Sequence, residues 1–127
     1  MEPNEDPVEA VLREIFEETG LVSKISENSN TPTLTFDYPE IIEPPRHILV
    51  ENIDDPDDGH HQHIDMIYYC YPADGIMDLL PGWSLFSYEV LKTALRAHQL
   101  EKTHLNPSIY PPLDVLTLGV DAIDQTV

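Results

Sequence analysis

The sequence predicts one domain of the α/β (α+β) class over residues 1–127, and three observations lead to this prediction. A capped amphipathic helix pattern lies near the N-terminus, and a second amphipathic pattern lies near residue 90. Between them, short apolar runs are bounded by prolines and polar turns, as expected for strands. With 41% hydrophobic residues, a chain of this length can form a single modest core.

The first helix is predicted from the signals at its two ends. Asp6 is a suitable N-cap, Pro7 fits the first helical position, and Gly20 can adopt the left-handed conformation that ends a helix. Between these signals, apolar residues recur with helical spacing and predict a stripe for burial, formed by Val8, Val11, Leu12 and Ile15.

Three glutamates of the same segment also recur with helical spacing, namely Glu14, Glu17 and Glu18. Their carboxylates gather on one patch, where each like-charge pair costs roughly 0.2–0.5 kcal/mol. A hard cation such as Mg²⁺ or Mn²⁺ would cancel this cost, because such ions prefer oxygen ligands. From spacing alone, a solvated acidic helix face explains the pattern equally well.

The segment REIFEETGL at residues 13–21 resembles the second half of the Nudix box, G-x5-E-x7-R-E-U-x-E-E-x-G-U, in which U is aliphatic. Glu5, eight residues before Arg13, matches the earlier glutamate, so every specified position from Glu5 onward is matched. The opening glycine of the box would fall before Met1, and the strands that precede the box in this family are not seen. We therefore interpret the sequence as a Nudix domain whose N-terminal part is missing.

This resemblance implies an α/β/α sandwich with a mixed sheet, and a metal-dependent hydrolase that cleaves the pyrophosphate linkage of a nucleoside diphosphate derivative. The expected catalytic residues, which would also bind Mg²⁺ or Mn²⁺, are Glu14, Glu17 and Glu18. Glu5 is expected to be a further ligand or a partner of one. Arg13 is expected to point away from the cluster, toward Glu9 or Glu5, and to orient a glutamate rather than touch the substrate.

The general base is left open by the sequence. It could be a glutamate of the box or a later acid, and the later candidates are Asp74, Asp78 and Glu89. Arg46 is a candidate phosphate contact, although a surface arginine beside two prolines explains it equally well.

The missing N-terminal part provides a competing interpretation. A Nudix-like domain without its first strands could be a non-catalytic ligand-binding or regulatory module. Loss of these strands would also leave open sheet edges, which a second copy could pair to form a homodimer.

The charge balance excludes some partners and indicates an environment. With 24 acidic and 6 basic residues the formal charge is −18, so no basic surface is available for nucleic acid or an anionic membrane. Such an acidic composition is typical of halophilic, and especially haloarchaeal, proteins. The expected partner is a small nucleotide-type substrate.

The sequence also indicates the compartment. Cys70 is the one cysteine, which excludes an intrachain disulfide and fits a reducing cytosol. We see no signal-peptide pattern and no apolar run near the length of a membrane span, so a soluble cytoplasmic protein is expected.

Along the rest of the chain, strands are expected at 21–25, 33–38, 47–53 and 64–71, with an irregular segment at 40–46. The last of these runs is apolar almost throughout, which predicts a central strand covered on both faces. Residues 61–72, HQHIDMIYYCYP, also resemble a strand found in a subset of Nudix proteins. A helix is expected at about 88–100, with Ser87 as its N-cap. Trp83 is expected in the core or in the substrate cleft. Residues 113–120 are expected to form a last strand or a packed tail.

Two polar clusters invite a metal-binding interpretation. The acidic segment 54–59 lacks the ligand spacing and terminal glutamate of a calcium loop, so a solvated turn is expected. His61 and His63 are two residues apart, so on a strand they would lie on one face, where two zinc ligands could lie. However, no cysteine cluster or HExxH motif accompanies them. Structural or substrate-facing histidines are the expectation there.

The charge of −18 predicts that folding depends on salt. Self-repulsion opposes the compact state, and at 1 M salt the Debye length falls to about 3 Å, which screens it. Thermal unfolding followed by circular dichroism should give a higher Tm in molar KCl than at low salt. A cooperative transition with the same Tm in both buffers would contradict this expectation.

Overall fold

The computed structural model describes residues 1–28, 34–35, 37–75, 77–100, 106 and 109–126. Its backbone divides into two compact units, Met1–Pro81 and Gly82–Val127. Among its described residues, the first unit contains one helix and four strands: α1 (Pro7–Thr19), β1 (Ser23–Ile25), β2 (His47–Asp55), β3 (Gly59–Ile67) and β4 (Cys70–Pro72). The second contains α2 (Tyr88–Leu100) and α3 (Leu113–Thr126). The α+β class is confirmed, while the organisation as a single domain stays a prediction.

Helix α1 begins and ends where its sequence signals predict. The Asp6 carboxylate accepts a hydrogen bond of 2.8 Å from the backbone N–H of Glu9, and Pro7 is the first helical residue. Gly20 adopts the left-handed conformation at φ 81° and donates its N–H to the Phe16 carbonyl at 2.9 Å. These caps satisfy backbone groups that the helix itself leaves unpaired.

The apolar stripe expected on α1 is only half-buried. The buried residue of this helix is Ala10, whereas Val8, Val11, Leu12 and Ile15 each keep part of their surface exposed.

The strands of the first unit form two separate two-stranded antiparallel sheets among the described residues, whereas a single mixed sheet was expected. In one sheet, β1 pairs with β4, and Ile25 lies opposite Cys70. In the other, β2 and β3 form a hairpin in which Val50 lies opposite Ile64. The outer edges of this hairpin pair with no strand of the described part of the chain.

The run at 64–71, expected to be one central strand, is divided between the two sheets. Strand β3 ends at Ile67 and pairs with β2, and β4 begins at Cys70 and pairs with β1. Ile64 is 61% exposed, so the expectation of coverage on both faces was wrong for β3. A continuous apolar run does not reveal that the chain changes pairing partner within it. Tyr69, at the change of partner, is buried.

The turn between β2 and β3 is closed by an aspartate side chain. One carboxylate oxygen of Asp55 accepts hydrogen bonds from the backbone N–H groups of Asp57 and Asp58, at 2.7 and 3.1 Å. These bonds to the ionised carboxylate lower the pKa of Asp55. The expected solvated turn is confirmed.

The strand expected at 33–38 is not seen where the structure describes it. Thr33 and Phe36 lie outside the described residues. The other positions of this segment, 34–35 and 37–38, are exposed and do not belong to a strand. The segment at 40–46 is irregular, as its prolines predict.

The second unit is a helical pair. Helix α2 has the predicted bounds, and Ser87 Oγ accepts a bond of 3.2 Å from the backbone N–H of Val90. The core residues of this unit are Leu91, Ala94 and Leu116. Trp83 is 49% exposed, so it is not a core residue.

Residues 113–120 form the first part of helix α3, so the expected strand was wrong, while the alternative of a packed segment is confirmed. Leu116 is fully buried, and Val120 and Ile123 pack against the same core, at i+4 and i+7 from it. This helical spacing emerges only when the pattern is followed to residue 126, beyond the β-branched residues that favour a strand. No helix among the described residues is long and apolar enough to cross a membrane.

Gly20 provides a test of how α1 is ended. An alanine there would keep a left-handed φ of 81°, which costs about 1–2 kcal/mol, and its Cβ would lie 3.0 Å from Leu80 Cγ. We expect Gly20→Ala to lower the free energy of unfolding by at least this amount, measured with urea in molar KCl.

Gly75→Ala is the matched control, because Gly75 has a φ of 76° and its Cβ would meet nothing within 4 Å. The control should cost less than Gly20→Ala by the contribution of the Leu80 contact. Equal losses would show that this contact is unimportant.

Candidate functional site

An arginine of α1 is the centre of the candidate site. Arg13 donates from Nε to Glu5 Oε2 at 2.7 Å and from Nη2 to Glu5 Oε1 at 3.1 Å, so the two groups form a bidentate pair. The backbone N–H of Glu2 donates to the same Glu5 carboxylate at 2.8 Å. The guanidinium therefore fastens the segment before α1 to the side of the helix.

The same guanidinium also contacts two glutamates of the predicted cluster. Its Nη1 donates to Glu17 Oε2 at 3.0 Å, and its Nη2 lies 3.5 Å from Glu14 Oε1. The expectation that Arg13 points away from the cluster was wrong. The reason is geometric, since Glu17 follows Arg13 by four residues and such pairs meet on one helix face. The expected contact with Glu5 is confirmed.

This network shifts the pKa values of both partners. Hydrogen bonds from the Arg13 side chain and from the Glu2 backbone lower the pKa of Glu5 to about 2. The bonded Glu5 carboxylate raises the pKa of Arg13. Both groups are thus held in their charged forms across the range in which proteins function.

The predicted site residues differ in their exposure. Glu14 and Glu17 keep 51% and 58% of their side-chain surface exposed, and Glu18 is exposed as well. Glu5 is much more enclosed, with 11% of its side chain exposed. Glu5 thus lies behind the arginine, and the three glutamates of the helix face outward.

The donor chemistry of these glutamates fits a hard divalent cation. Glu14, Glu17 and Glu18 supply carboxylate oxygens from accessible positions on one helix, and oxygen is the donor that Mg²⁺ and Mn²⁺ prefer. In the described part of the chain, no three acidic, histidine or cysteine side chains are already grouped as metal ligands. Glu14 and Glu17 instead contact the Arg13 guanidinium, at 3.5 and 3.0 Å.

An open cavity of about 560 Å³ lies beside the cluster, between α1 and the end of β3. Glu14 lines it, together with Pro7, Ala10 and Val11 of the same helix. The facing wall is formed by residues 64–68. Asp65 is a lining carboxylate that was not among the predicted site residues. Its only signal in the sequence was its place in the strand-like motif of residues 61–72.

Arg46, the candidate phosphate contact, is held by backbone oxygens. Its Nη2 donates to the carbonyls of Glu27 and Ser26 at 2.9 and 3.3 Å, and its guanidinium carbon lies 5.7 Å from the centre of the Tyr69 ring. Within the described structure its buried Nε makes no hydrogen bond. Arg46 thus ties the 26–27 segment to Tyr69, and a role toward phosphate stays a prediction.

Two of the three histidines of β3, His61 and His63, lie together on one face of the hairpin. The rings of His61 and His63 have centroids 5.1 Å apart, and His61 Nδ1 is 3.1 Å from the Gly59 carbonyl oxygen. Glu51 lies opposite His63 on β2. No third ligand completes a metal site with them among the described residues.

The candidate bases lie in different parts of the chain. Asp74 and Asp78 are exposed residues of the first unit that follow β4. Glu89 belongs to the first turn of α2 in the second unit. Their role as a base stays a prediction.

Comparison with solved structures identifies the fold. This chain is similar to the crystal structure of a hydrolase of the NUDIX family from Clostridium perfringens, with a TM-score of 0.61 and 24% sequence identity. The match covers 98% of this chain and 75% of the Clostridium perfringens chain. No protein-family model matches the chain, and neither does any of the curated proteins compared with it. The chain therefore has a Nudix-like fold, as the sequence predicted, and the likeness extends to the fold alone.

The Arg13–Glu5 pair predicts how this site responds to acid. Because the pKa of Glu5 is lowered to about 2 from an ordinary 4.5, its contribution to stability is present above the ordinary value. That contribution should be lost as pH falls toward the folded value. In carbon NMR spectra the Glu5 carboxylate should still be ionised at pH 3.

Arg13→Gln should raise the midpoint of the Glu5 titration toward the ordinary glutamate value. Arg13→Lys should raise it less, because lysine keeps the positive charge but cannot form the bidentate pair. A Glu5 carboxylate that titrates near 4.5 in the unaltered protein would contradict the pairing.

Proposed function

We propose that this protein is a metal-dependent hydrolase of the Nudix type, which cleaves the pyrophosphate linkage of a nucleoside diphosphate derivative. The observation that carries the proposal is the arrangement on α1, where Arg13 and Glu5 anchor the helix beside three exposed glutamates, of which Glu14 lines an open cavity. The Nudix-like fold supports it.

The charge of the protein makes a cation necessary for this reaction. A pyrophosphate is strongly anionic, and the chain carries a formal charge of −18 with exposed glutamates at the site. Direct contact between them is repulsive. Divalent cations held among the glutamates would reverse the sign of the local field, and molar salt would weaken the longer-range repulsion.

Glu14, Glu17 and Glu18 would bind one or more Mg²⁺ or Mn²⁺ ions, with Glu5 supporting them from behind through Arg13. When bound, the metal supplies Lewis acidity toward the phosphate oxygens and the attacking water. The residues of the chain have two further tasks. Arg13 keeps Glu5 ionised and fixes the start of α1, and its contact with Glu17 is exposed and therefore weak enough to exchange for a cation.

A non-catalytic ligand-binding module is the second candidate, and one observation favours it. Arg13 already offsets the charge of Glu5, Glu14 and Glu17, so the cluster can persist without a metal. In this candidate the nucleotide binds at the same place and is released unchanged. The two candidates differ in turnover.

Glu17→Gln separates these functions. The substitution removes one carboxylate at an exposed position, so the fold should persist. If Glu17 binds the metal, turnover should fall by at least the roughly 10- to 100-fold that follows loss of an outer partner of a metal ligand. Glu51→Gln is the matched control, because it removes the same charge from an exposed position on the hairpin.

The assay measures release of phosphate or nucleotide in molar KCl with Mg²⁺ or Mn²⁺. The substrates are nucleoside triphosphates, ADP-ribose, dinucleoside polyphosphates and nucleotide sugars. Turnover that survives in Glu51→Gln and is lost in Glu17→Gln supports the hydrolase. Equal turnover in both variants contradicts the metal assignment. No turnover from folded protein, with a nucleotide still bound, supports the binding module.

A further inference from the structure

Along one face of α1, the lining of the cavity beside Glu14 changes from apolar to acidic. Pro7, Ala10, Val11 and Glu14 line it at i, i+3, i+4 and i+7, so the floor of the cavity is apolar until it reaches a glutamate. Glu17 and Glu18 continue the acidic part by one turn. At about 1.5 Å per residue, Glu17 lies about 10 Å along the helix axis from Ala10.

The charges of the lining disfavour one kind of ligand. Among the described lining residues, Glu14 and Asp65 carry carboxylates, and the α-ammonium group of Met1 is the one positive charge. An anionic group inside the cavity would therefore meet a lining with a net negative charge. Its volume of about 560 Å³ lies within the roughly 300–1,000 Å³ of small-molecule sites.

We infer that this cavity receives an uncharged, largely apolar group of the substrate, while the phosphates stay outside it at the glutamates of α1. Only the position of the phosphates rests on the proposed function. Binding of the uncharged group rests on the cavity alone, and needs neither a metal nor turnover.

Exposed apolar side chains on the facing strand support this assignment. Ile64 is 61% exposed and Met66 is 40% exposed, and both line the cavity. A ligand that covered them would remove apolar surface from water, which favours binding in proportion to the area covered. The assigned substrate thus combines a diphosphate with an uncharged apolar group about two helical turns away.

Two equally exposed apolar residues offer a matched pair of variants. Ile64 on β3 is 61% exposed and lines the cavity. Val22, between α1 and β1, is 60% exposed and is not among the described lining residues. Ile64→Lys and Val22→Lys change the net charge equally, but only Ile64→Lys replaces a residue of the cavity wall.

The test uses two probes that share one ring and differ in charge, 3-phenylpropanol and 3-phenylpropanoate. Binding is followed by methyl NMR of the metal-free protein in molar KCl. The alcohol should shift the methyl signals of Val11, Ile64 and Met66 and bind at least about tenfold more tightly than the carboxylate, a difference of about 1.4 kcal/mol. Ile64→Lys should weaken binding of the alcohol and strengthen binding of the carboxylate, whereas Val22→Lys should leave the ratio of the two affinities unchanged.

Three results would overturn the inference. These are equal binding of the two probes, absence of shifts at the cavity, and identical behaviour of the two lysine variants. Because both positions are exposed, the variants should fold, and the comparison of the two probes does not depend on them. If the probes bind as expected but no nucleotide is hydrolysed, the proposed function fails and the assignment of the cavity stands.

Discussion

The bidentate contact between Arg13 and Glu5 is the interaction on which the rest of the site depends. It joins the segment before α1 to the middle of that helix, with bonds of 2.7 and 3.1 Å. Since the Arg13 guanidinium also contacts Glu14 and Glu17, it offsets a repulsion that would otherwise act within one helix face. A concentrated set of carboxylates can thus be kept in place on an already acidic protein.

Helix α1 unites three properties of the candidate site. Its caps fix where the helix begins and ends, its apolar face forms the floor of a cavity, and its acidic face offers oxygen donors at the rim. None of these depends on the second unit of the chain. The residues of the candidate site on α1 and the cavity beside them accordingly belong to Met1–Pro81, while α2 and α3 form a core of their own.

The sequence predicted best what is determined locally. The ends of α1 followed from Asp6, Pro7 and Gly20, because each acts on backbone groups within a few residues. The division of residues 64–72 between two sheets was missed, since pairing partners are set by contacts distant in sequence. The start of α3 was misread because its β-branched residues conceal the helical spacing.

The site itself was predicted in part. The glutamates and the Glu5 contact could be anticipated from spacing and from the resemblance to the Nudix box. The contact from Arg13 to Glu17 was available from their spacing of four residues but was not used. The cavity and its lining residue Asp65 could not be predicted from the sequence, because they depend on where β3 lies relative to α1.

The most direct test of this account is a titration of the protein with Mg²⁺ in molar KCl, followed by NMR of the glutamate carboxyl carbons and the Arg13 side chain. The account predicts that the signals of Glu14, Glu17 and Glu18 shift together, while the Arg13 Nε–H signal stays where its bond to Glu5 places it. Carboxyl signals that do not respond to Mg²⁺, or a lost Arg13 signal, would contradict the central claim that Arg13 and Glu5 support a metal-binding glutamate cluster.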